Sequence, residues 1–322
     1  MERGEKMITT VTLNPSIDRE YFVENHKPEN DCYVYDNKNL KVSPGGKGLM
    51  AAINLKKLGY PDVQNMGFVG GRQGLFFEKM VQEYRITTNY VYTENEIRNN
   101  IKIIGEDPVT YTQFNDYTYK VSEENVEEFI RRFKRGINDS DLILMAGSIP
   151  EGVGFDIYKR LIRECNKQDK NVFLQASGEA LKQALDEKPK IVSIYFKHTH
   201  KILDKEVKTF DDYVEMGKEI ISRGVDHVII PFHSDRLLFT KDEVYCLSPL
   251  NFCLRNWLGA GDAYTAAFFD YYYKYGFEFV EANRRGAAAA LSIAENNFLF
   301  LKDEGEIEQN MDRIIVKQLE GY

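Results

Sequence analysis

Asn256-Trp257-Leu258-Gly259-Ala260-Gly261-Asp262-Ala263, running on through Tyr264-Thr265-Ala266-Ala267-Phe268, decides how the rest of the chain is read. A short apolar approach enters Gly-Ala-Gly and then a helix of small residues with a carboxylate in its first turn. Glycines let backbone N–H groups turn toward one point, and the helix start adds a partial positive charge, which makes an anion site. A carboxylate repels an anion. Its presence there is accounted for if Asp262 accepts a proton from a hydroxyl that attacks a phosphoryl group held on those N–H groups. Taken alone, the pattern is met equally well by a glycine-rich turn with Asp262 as an ordinary helix-start residue.

Composition narrows the setting. The chain has 322 residues, 43% of them apolar and 29% charged, the balance of a globular protein. A net charge of −8 argues against nucleic acid as a partner of the whole surface, while leaving room for a local basic pocket. Cys32, Cys165, Cys246 and Cys253 have no metal-ligand spacing and suit reduced thiols. Met1 to Lys6 is charged and leads straight into a strand, so no signal peptide is expected, and no apolar run reaches membrane-spanning length. The expectation is a cytoplasmic protein with no membrane partner.

Along the chain, Met7 to Leu13 is β-branched and reads as a buried strand ending in Asn14-Pro15-Ser16-Ile17-Asp18. Such turn chemistry sets polar groups just past a strand's carboxyl end, where Asp18 either binds a ligand hydroxyl or stabilises the turn. Tyr33-Val34-Tyr35 and Leu40-Lys41-Val42 suggest short, half-exposed strands. Ser43-Pro44-Gly45-Gly46-Lys47-Gly48 opens a helix that Gly59 stops, and the glycines and lysine form either a phosphate or hydroxyl cradle or a flexible turn. From Asn89 to Asn115 apolar residues alternate, which predicts two or three antiparallel strands. With residues 18–42 they would form a small projecting sheet whose aromatic face needs a partner, its own active site or a second subunit. From Ser122, strands and helices alternate in the manner of a mainly parallel sheet covered on both faces. Ser122 reads as a helix cap, a helix runs from Thr209 with Asp211 and Asp212 in its first turn, and Leu237–Thr240 with Glu243–Leu247 suggest a hairpin. Ala287 to Ala290 suit close packing or close approach of a flat ligand, and Phe268 to Tyr273 suit helix packing or an oligomer surface. His198 and His200, two apart on an expected strand face, lack a nearby third ligand, so no metal site is expected.

Taken in order, seven groups resemble the motifs of the PfkB/ribokinase carbohydrate kinases, most closely the branch holding 1-phosphofructokinase and tagatose-6-phosphate kinase. They are Thr12-Leu13-Asn14-Pro15-Ser16-Ile17-Asp18, Gly45-Gly46-Lys47-Gly48, Gly67-Phe68-Val69-Gly70, Arg98 with Asn100-Ile101-Lys102, Gly147-Ser148-Ile149-Pro150, Ser177-Gly178 and Gly259-Ala260-Gly261-Asp262. The likeness runs from Thr10 to about Ala294. It implies an α/β fold, a ribokinase-like αβα sandwich with a mainly parallel central sheet and a small β lid that covers the sugar and often dimerises. The lid would come from about 18–42 and 89–115, inserted in a single domain spanning 1–322. Asp262 would be the general base, with Gly259, Ala260 and Gly261 as the anion hole. Asp18, Gly45, Gly46, Lys47 and Asn100 would bind the sugar and Arg98 its phosphate, with ATP and Mg²⁺ as donor.

Several positions depart from that pattern. Met50 stands where an Asn is usual, and Tyr33 where an Arg often meets the sugar phosphate, a role an aromatic ring cannot take. On the nucleotide side, Gln175 replaces an Asp, and Ser193-Ile194-Tyr195-Phe196-Lys197-His198 replaces a Lys-Pro-Asn run followed by Glu. Pro231-Phe232-His233 replaces a Ser-Leu-Gly turn and Arg236 a second glycine. A Cβ where positive φ is needed, or close to a phosphate, costs about 1 kcal/mol or more. His233, Arg236, Ala287 and Ala290 are the candidates for nucleotide contact, and Lys197, His198 or Arg236 could bring charge to a repositioned phosphate. The reading is an ATP-dependent kinase for a hydroxyl of a sugar or sugar phosphate, with a homodimer through the lid. Its alternatives are a degenerate kinase serving as a sugar or nucleotide sensor, or a kinase for an unphosphorylated sugar or nucleoside.

Overall fold

A computed structural model describes residues 7–23, 31, 39–106, 109–117, 119–253, 258–276, 278–296 and 299–321. The expected strand at Tyr33–Tyr35, Cys32, Met1 to Lys6 and the Asn256-Trp257 approach lie outside the described residues. The first third of the chain runs β1 (Met7–Thr12), β2 (Ser16–Val23), β3 (Leu40–Gly45), α1 (Lys47–Lys57), β4 (Val63–Gly70), α2 (Gly71–Glu83), β5 (Thr87–Thr93), β6 (Arg98–Glu106) and β7 (Val109–Asn115). There follow α3 (Glu123–Gly136), β8 (Ser140–Ala146), α4 (Ile157–Asn166), β9 (Asn171–Gln175), α5 (Gly178–Ala184), β10 (Ile191–Ser193), β11 (Lys201–Ile202), β12 (Lys205–Glu206) and α6 (Phe210–Ser222). The chain closes with β13 (His227–Phe232), β14 (Asp235–Phe239), β15 (Val244–Pro249), α7 (Ala260–Lys274), α8 (Phe279–Glu295), α9 (Gly305–Glu308) and β16 (Ile314–Gln318).

The main sheet has the order β16-β15-β14-β13-β10-β9-β8-β1-β4-β5. From β13 to β5 every neighbouring pair is parallel, and β14, β15 and β16 add an antiparallel edge. Every residue of β4 is buried, as befits an interior strand of a parallel sheet covered on both faces. Its two polar members are paired: Gln64 Nε2 donates to the Gly136 carbonyl (3.2 Å), and Asn65 donates to Thr10 Oγ1 (2.7 Å) and Thr12 Oγ1 (3.0 Å) and accepts from the Tyr90 hydroxyl (2.7 Å). The caps behave as their residues predict. Ser122 accepts from the Asn125 amide, and Thr209 with Asp212 forms a reciprocal capping box.

A separate sheet has the order β3-β2-β6-β7. Residues 89–93, expected in that sheet, instead belong to β5 at the edge of the main one, parallel to β4. An edge strand of a parallel sheet and a strand of a half-covered sheet share the period of two, so alternation does not tell them apart. His198 and His200 are not on a strand either: Phe196–His198 is a 3₁₀ turn just past β10. The aromatic run of α7 is helix packing, with Phe268 and Phe269 against Phe173 at 5.5 and 5.0 Å between ring centroids. Among the described residues no helix is long and apolar enough to cross a membrane.

Parallel strands end on the same edge, so Asn14 after β1, Gly147-Ser148 after β8 and Tyr195 after β10 share it. Helix α1 packs on α7, which brings their N-termini, Gly46-Lys47 and Gly259–Asp262, to the same region.

Candidate active site

The small sheet is amphipathic in an unusual sense. In the β2–β6 register Ser16 faces Arg98, Asp18 faces Asn100 and Glu20 faces Lys102, so six polar residues share one face. That polar face is largely covered, while the opposite face leaves Ile101 and its cross-strand partner Phe114 exposed. Asp18 Oδ1 accepts from Ser16 Oγ (2.7 Å) and Asn100 Nδ2 (2.9 Å), and its Oδ2 accepts from Lys102 Nζ (2.9 Å). Arg98 Nη2 donates to the Asn14 carbonyl (3.1 Å), and Asn14 Nδ2 donates to Ser148 Oγ (3.0 Å). Three buried atoms here, Asn14 Oδ1, Arg98 Nε and Asn100 Oδ1, have no partner among the described residues. Buried polar atoms are normally paired, so three together make this a candidate ligand site.

Glycines close the space around this network. A Cβ on Gly45 would lie 2.6 Å from Ser16 Oγ and 2.7 Å from Asp18 Oδ1. Gly46, at φ 122° before α1, would put one 2.4 Å from Thr12 Cγ2.

Gly259 opens α7 at φ 80°, with a hypothetical Cβ only 2.5 Å from the Leu299 carbonyl. The amides of Asp262 and Ala263 bond back to the Gly259 carbonyl at 3.1 and 2.9 Å. Those of Ala260 and Gly261 point out of the helix start, where no intrahelical acceptor exists, and the space beside Gly261 is open. Asp262 is half-buried in the first turn. Burial pushes its carboxyl up to about 6, opposed by Lys47 and Lys102 and reinforced by Asp18. Lys47, the first residue of α1, is moved below its ordinary value by burial, with Asp262 opposing and Lys197 reinforcing. Asp262, Lys47, Lys102 and Asp18, drawn from two helices and the small sheet, thus sit in one field.

The nucleotide-side candidates are arranged differently. Lys47 Nζ lies 3.3 Å from the centroid of the Tyr195 ring. His198 is shifted below its ordinary value by burial, His200, Lys47 and Lys197, so it borders the same cationic group. Arg236 lies in extended β14, and its guanidinium stands 4.2 Å over the Tyr264 ring. The left-handed backbone falls on His233 (φ 52°), exposed in the turn between β13 and β14. Ala287 and Ala290 are buried in α8, which packs so closely on α7 that a Cβ at Gly286 would meet the Tyr264 carbonyl at 2.9 Å. Asp18, Gly45, Arg98 and Asn100, singled out in the sequence, meet here; Asn14 and Lys102 stand in its motifs without an assigned role, and Glu20 stands outside them. The signal was present as two polar ladders, Ser16-x-Asp18-x-Glu20 and Arg98-x-Asn100-x-Lys102, needing only their register.

Known proteins resemble this chain in sequence and in fold. The sequence model described as "pfkB family carbohydrate kinase" matches residues 9–298. The 1-phosphofructokinase of Bacillus subtilis (strain 168) is 31% identical over 264 residues, covering 81% of this chain and 84% of that one. The 1-phosphofructokinase of Borreliella burgdorferi is 26% identical over 292 residues, covering 89% and 92%. Among solved structures, a Thermotoga maritima protein described as "Possible 1-phosphofructokinase" superposes with a TM-score of 0.92 at 31% identity, covering 98% of this chain and 100% of that chain. Phosphofructokinase-2 from Escherichia coli, in complex with fructose-6-phosphate, shares the fold with a TM-score of 0.84 at 21% identity, covering 95% of this chain and 98% of that one. With the family match spanning both helix starts and the small sheet between them, this chain belongs to the pfkB family of carbohydrate kinases and is a sugar kinase with ATP as its phosphoryl donor.

Proposed function

We propose that the chain transfers the γ-phosphoryl group of ATP to a primary hydroxyl of fructose 1-phosphate. Asp262 takes the hydroxyl proton, the freed oxygen attacks the γ-phosphorus, and the bond to the β–γ bridging oxygen breaks to release ADP. The Ala260 and Gly261 amides at the start of α7, behind Gly259, meet the charge on the transferring group. Asp18 and Asn100 hold sugar hydroxyls, Gly45 and Gly46 let them approach, Arg98 pairs with the acceptor's phosphate, and Lys47 bridges acceptor and donor. The observation that carries this reading is the Asp262 carboxyl, raised to about 6 at a helix start beside Lys47 and Asp18. A base poised near neutral pH is what proton removal requires. A sensor needs no such group, so the non-catalytic alternative is not favoured.

Mg²⁺ belongs to the reading as the ion on the ATP phosphates. The side chains bordering Lys47 on the donor side, Lys197 and His198, are cationic or poor ligands for a hard cation, so no step is assigned to a protein-held metal. The outer face of the small sheet, with Ile101 and Phe114 exposed, is proposed to cover its counterpart on a second copy of the chain.

The test is Mg²⁺-dependent ADP release with fructose 1-phosphate, fructose 6-phosphate, tagatose 6-phosphate, free ketohexoses and nucleosides. Turnover is expected with fructose 1-phosphate above the others. A clear preference for another acceptor, or silence across the panel from folded protein, overturns the assignment.

A further inference from the structure

Asp18 and Glu20 point to the same side of β2, and a single ammonium lies between them. Lys102 Nζ donates to Asp18 Oδ2 and to Glu20 Oε1, both at 2.9 Å. Glu20 is 1% exposed and Lys102 6%. Two carboxylates around one buried lysine are costly to assemble, and a stable sheet alone would be served as well by apolar residues. The arrangement has a consequence for Asp18. A carboxylate offers about four acceptor sites, and Ser16, Asn100 and Lys102 take three of them. The side chain is thereby fixed, with one acceptor site left on Oδ2. Because Glu20 shares the ammonium, the trio keeps a formal charge of −1, and Asp18 remains a strong acceptor.

Resting on the reading that Asp18 meets the acceptor sugar, we propose that Lys102 is a positioning residue for phosphoryl transfer, anchored by Glu20, which aims the remaining Asp18 lone pair at an acceptor hydroxyl. The same ammonium also acts on the base. Asp262 faces Lys47 from α1, Lys102 from β6 and Asp18 from β2, and Lys102 opposes its protonation.

A double variant separates positioning from mere stability. Lys102→Met alone strands two buried carboxylates and is expected to melt early. Lys102→Met with Glu20→Gln removes both charges at similar volume, and its melting temperature is expected to return close to that of the unaltered enzyme. Its kcat/KM for fructose 1-phosphate is nevertheless expected to stay about ten- to hundredfold low, with KM for ATP unchanged. The acid limb of its pH profile is expected at higher pH, and Lys102→Arg is expected to recover part of both losses. Recovery of acceptor kcat/KM along with stability in the double variant would overturn the proposal, as would an unmoved acid limb. The unaltered enzyme tells the two readings apart. If it turns over no sugar, the functional reading falls and takes this one with it. If it turns over fructose 1-phosphate and the variants match it, this inference alone falls.

Discussion

The two walls of the site are built on opposite terms. On the acceptor wall, side chains of β2 and β6 bond mainly to one another, and three buried atoms there and on the adjoining Asn14, namely Asn14 Oδ1, Arg98 Nε and Asn100 Oδ1, have no partner among the described residues. That wall is assembled and still has bonds to give. On the donor wall the cations lie against aromatic rings, Lys47 over Tyr195 and Arg236 over Tyr264. A cation stacked on a ring is held in place but keeps its charge, so this wall provides a fixed field more than a set of directed hydrogen bonds. On the proposed function, the difference leads us to expect specificity on the acceptor side, and a donor side that tolerates substitution so long as positive charge stays near α7.

The largest effect belongs to the group between the walls. Asp262→Asn is expected to lower kcat by about 10²–10⁴-fold while leaving fructose 1-phosphate binding in place, measured by turnover and calorimetry. The same variant should gain thermal stability at pH 7. A carboxyl raised by burial binds its proton more tightly folded than unfolded, so its ionisation destabilises the fold as pH rises from its unfolded value through about 6. Below pH 4 the gain should vanish.

Next comes Gly259→Ala, whose Cβ has neither the φ nor the space it needs against Leu299. A stability loss of about 1–3 kcal/mol, with kcat falling more than either KM, would fit a displaced helix start. An innocuous change would mean the Gly-Ala-Gly geometry is not used. On the acceptor wall, Arg98→Gln is expected to raise KM for fructose 1-phosphate about ten- to hundredfold without touching KM for ATP. On the donor wall, Tyr195→Leu should cost about two- to tenfold in kcat and Tyr195→Phe little, since the ring face and not the hydroxyl meets Lys47. The smallest effect is Arg236→Gln, with KM for ATP moving less than about threefold and the melting temperature falling. A large rise in KM for ATP there would reverse the contrast drawn between the walls.

How far the sequence reaches follows the same division. Gly259-Ala260-Gly261-Asp262 and Gly45-Gly46-Lys47-Gly48 are legible because glycine and charge at a helix start are local chemistry. So are the cap at Ser122 and the acidic first turn of the helix from Thr209. The pairing of Lys102 with Glu20 spans 82 residues and depends on the β2–β6 register, which no local pattern supplies. Residues 89–93 alternate as a lid strand would, yet their neighbour is β4. On the donor wall, Tyr195 and Arg236 read as gaps in a motif, because a ring or guanidinium reveals its partner only once Lys47 and Tyr264 are brought beside it.

The central claim is that Asp262 acts as a base with a carboxyl near 6. It is tested most directly by kcat/KM for fructose 1-phosphate between pH 5 and 8, beside the pH dependence of fructose 1-phosphate binding to Asp262→Asn. The sugar phosphate titrates in about the same range, so the second curve isolates the substrate's own ionisation. The rate is expected to fall below pH about 6 more steeply than binding does, because Asp262 must be ionised to accept the proton. Rate and binding falling together, or a rate that stays level to pH 5, would contradict the central claim.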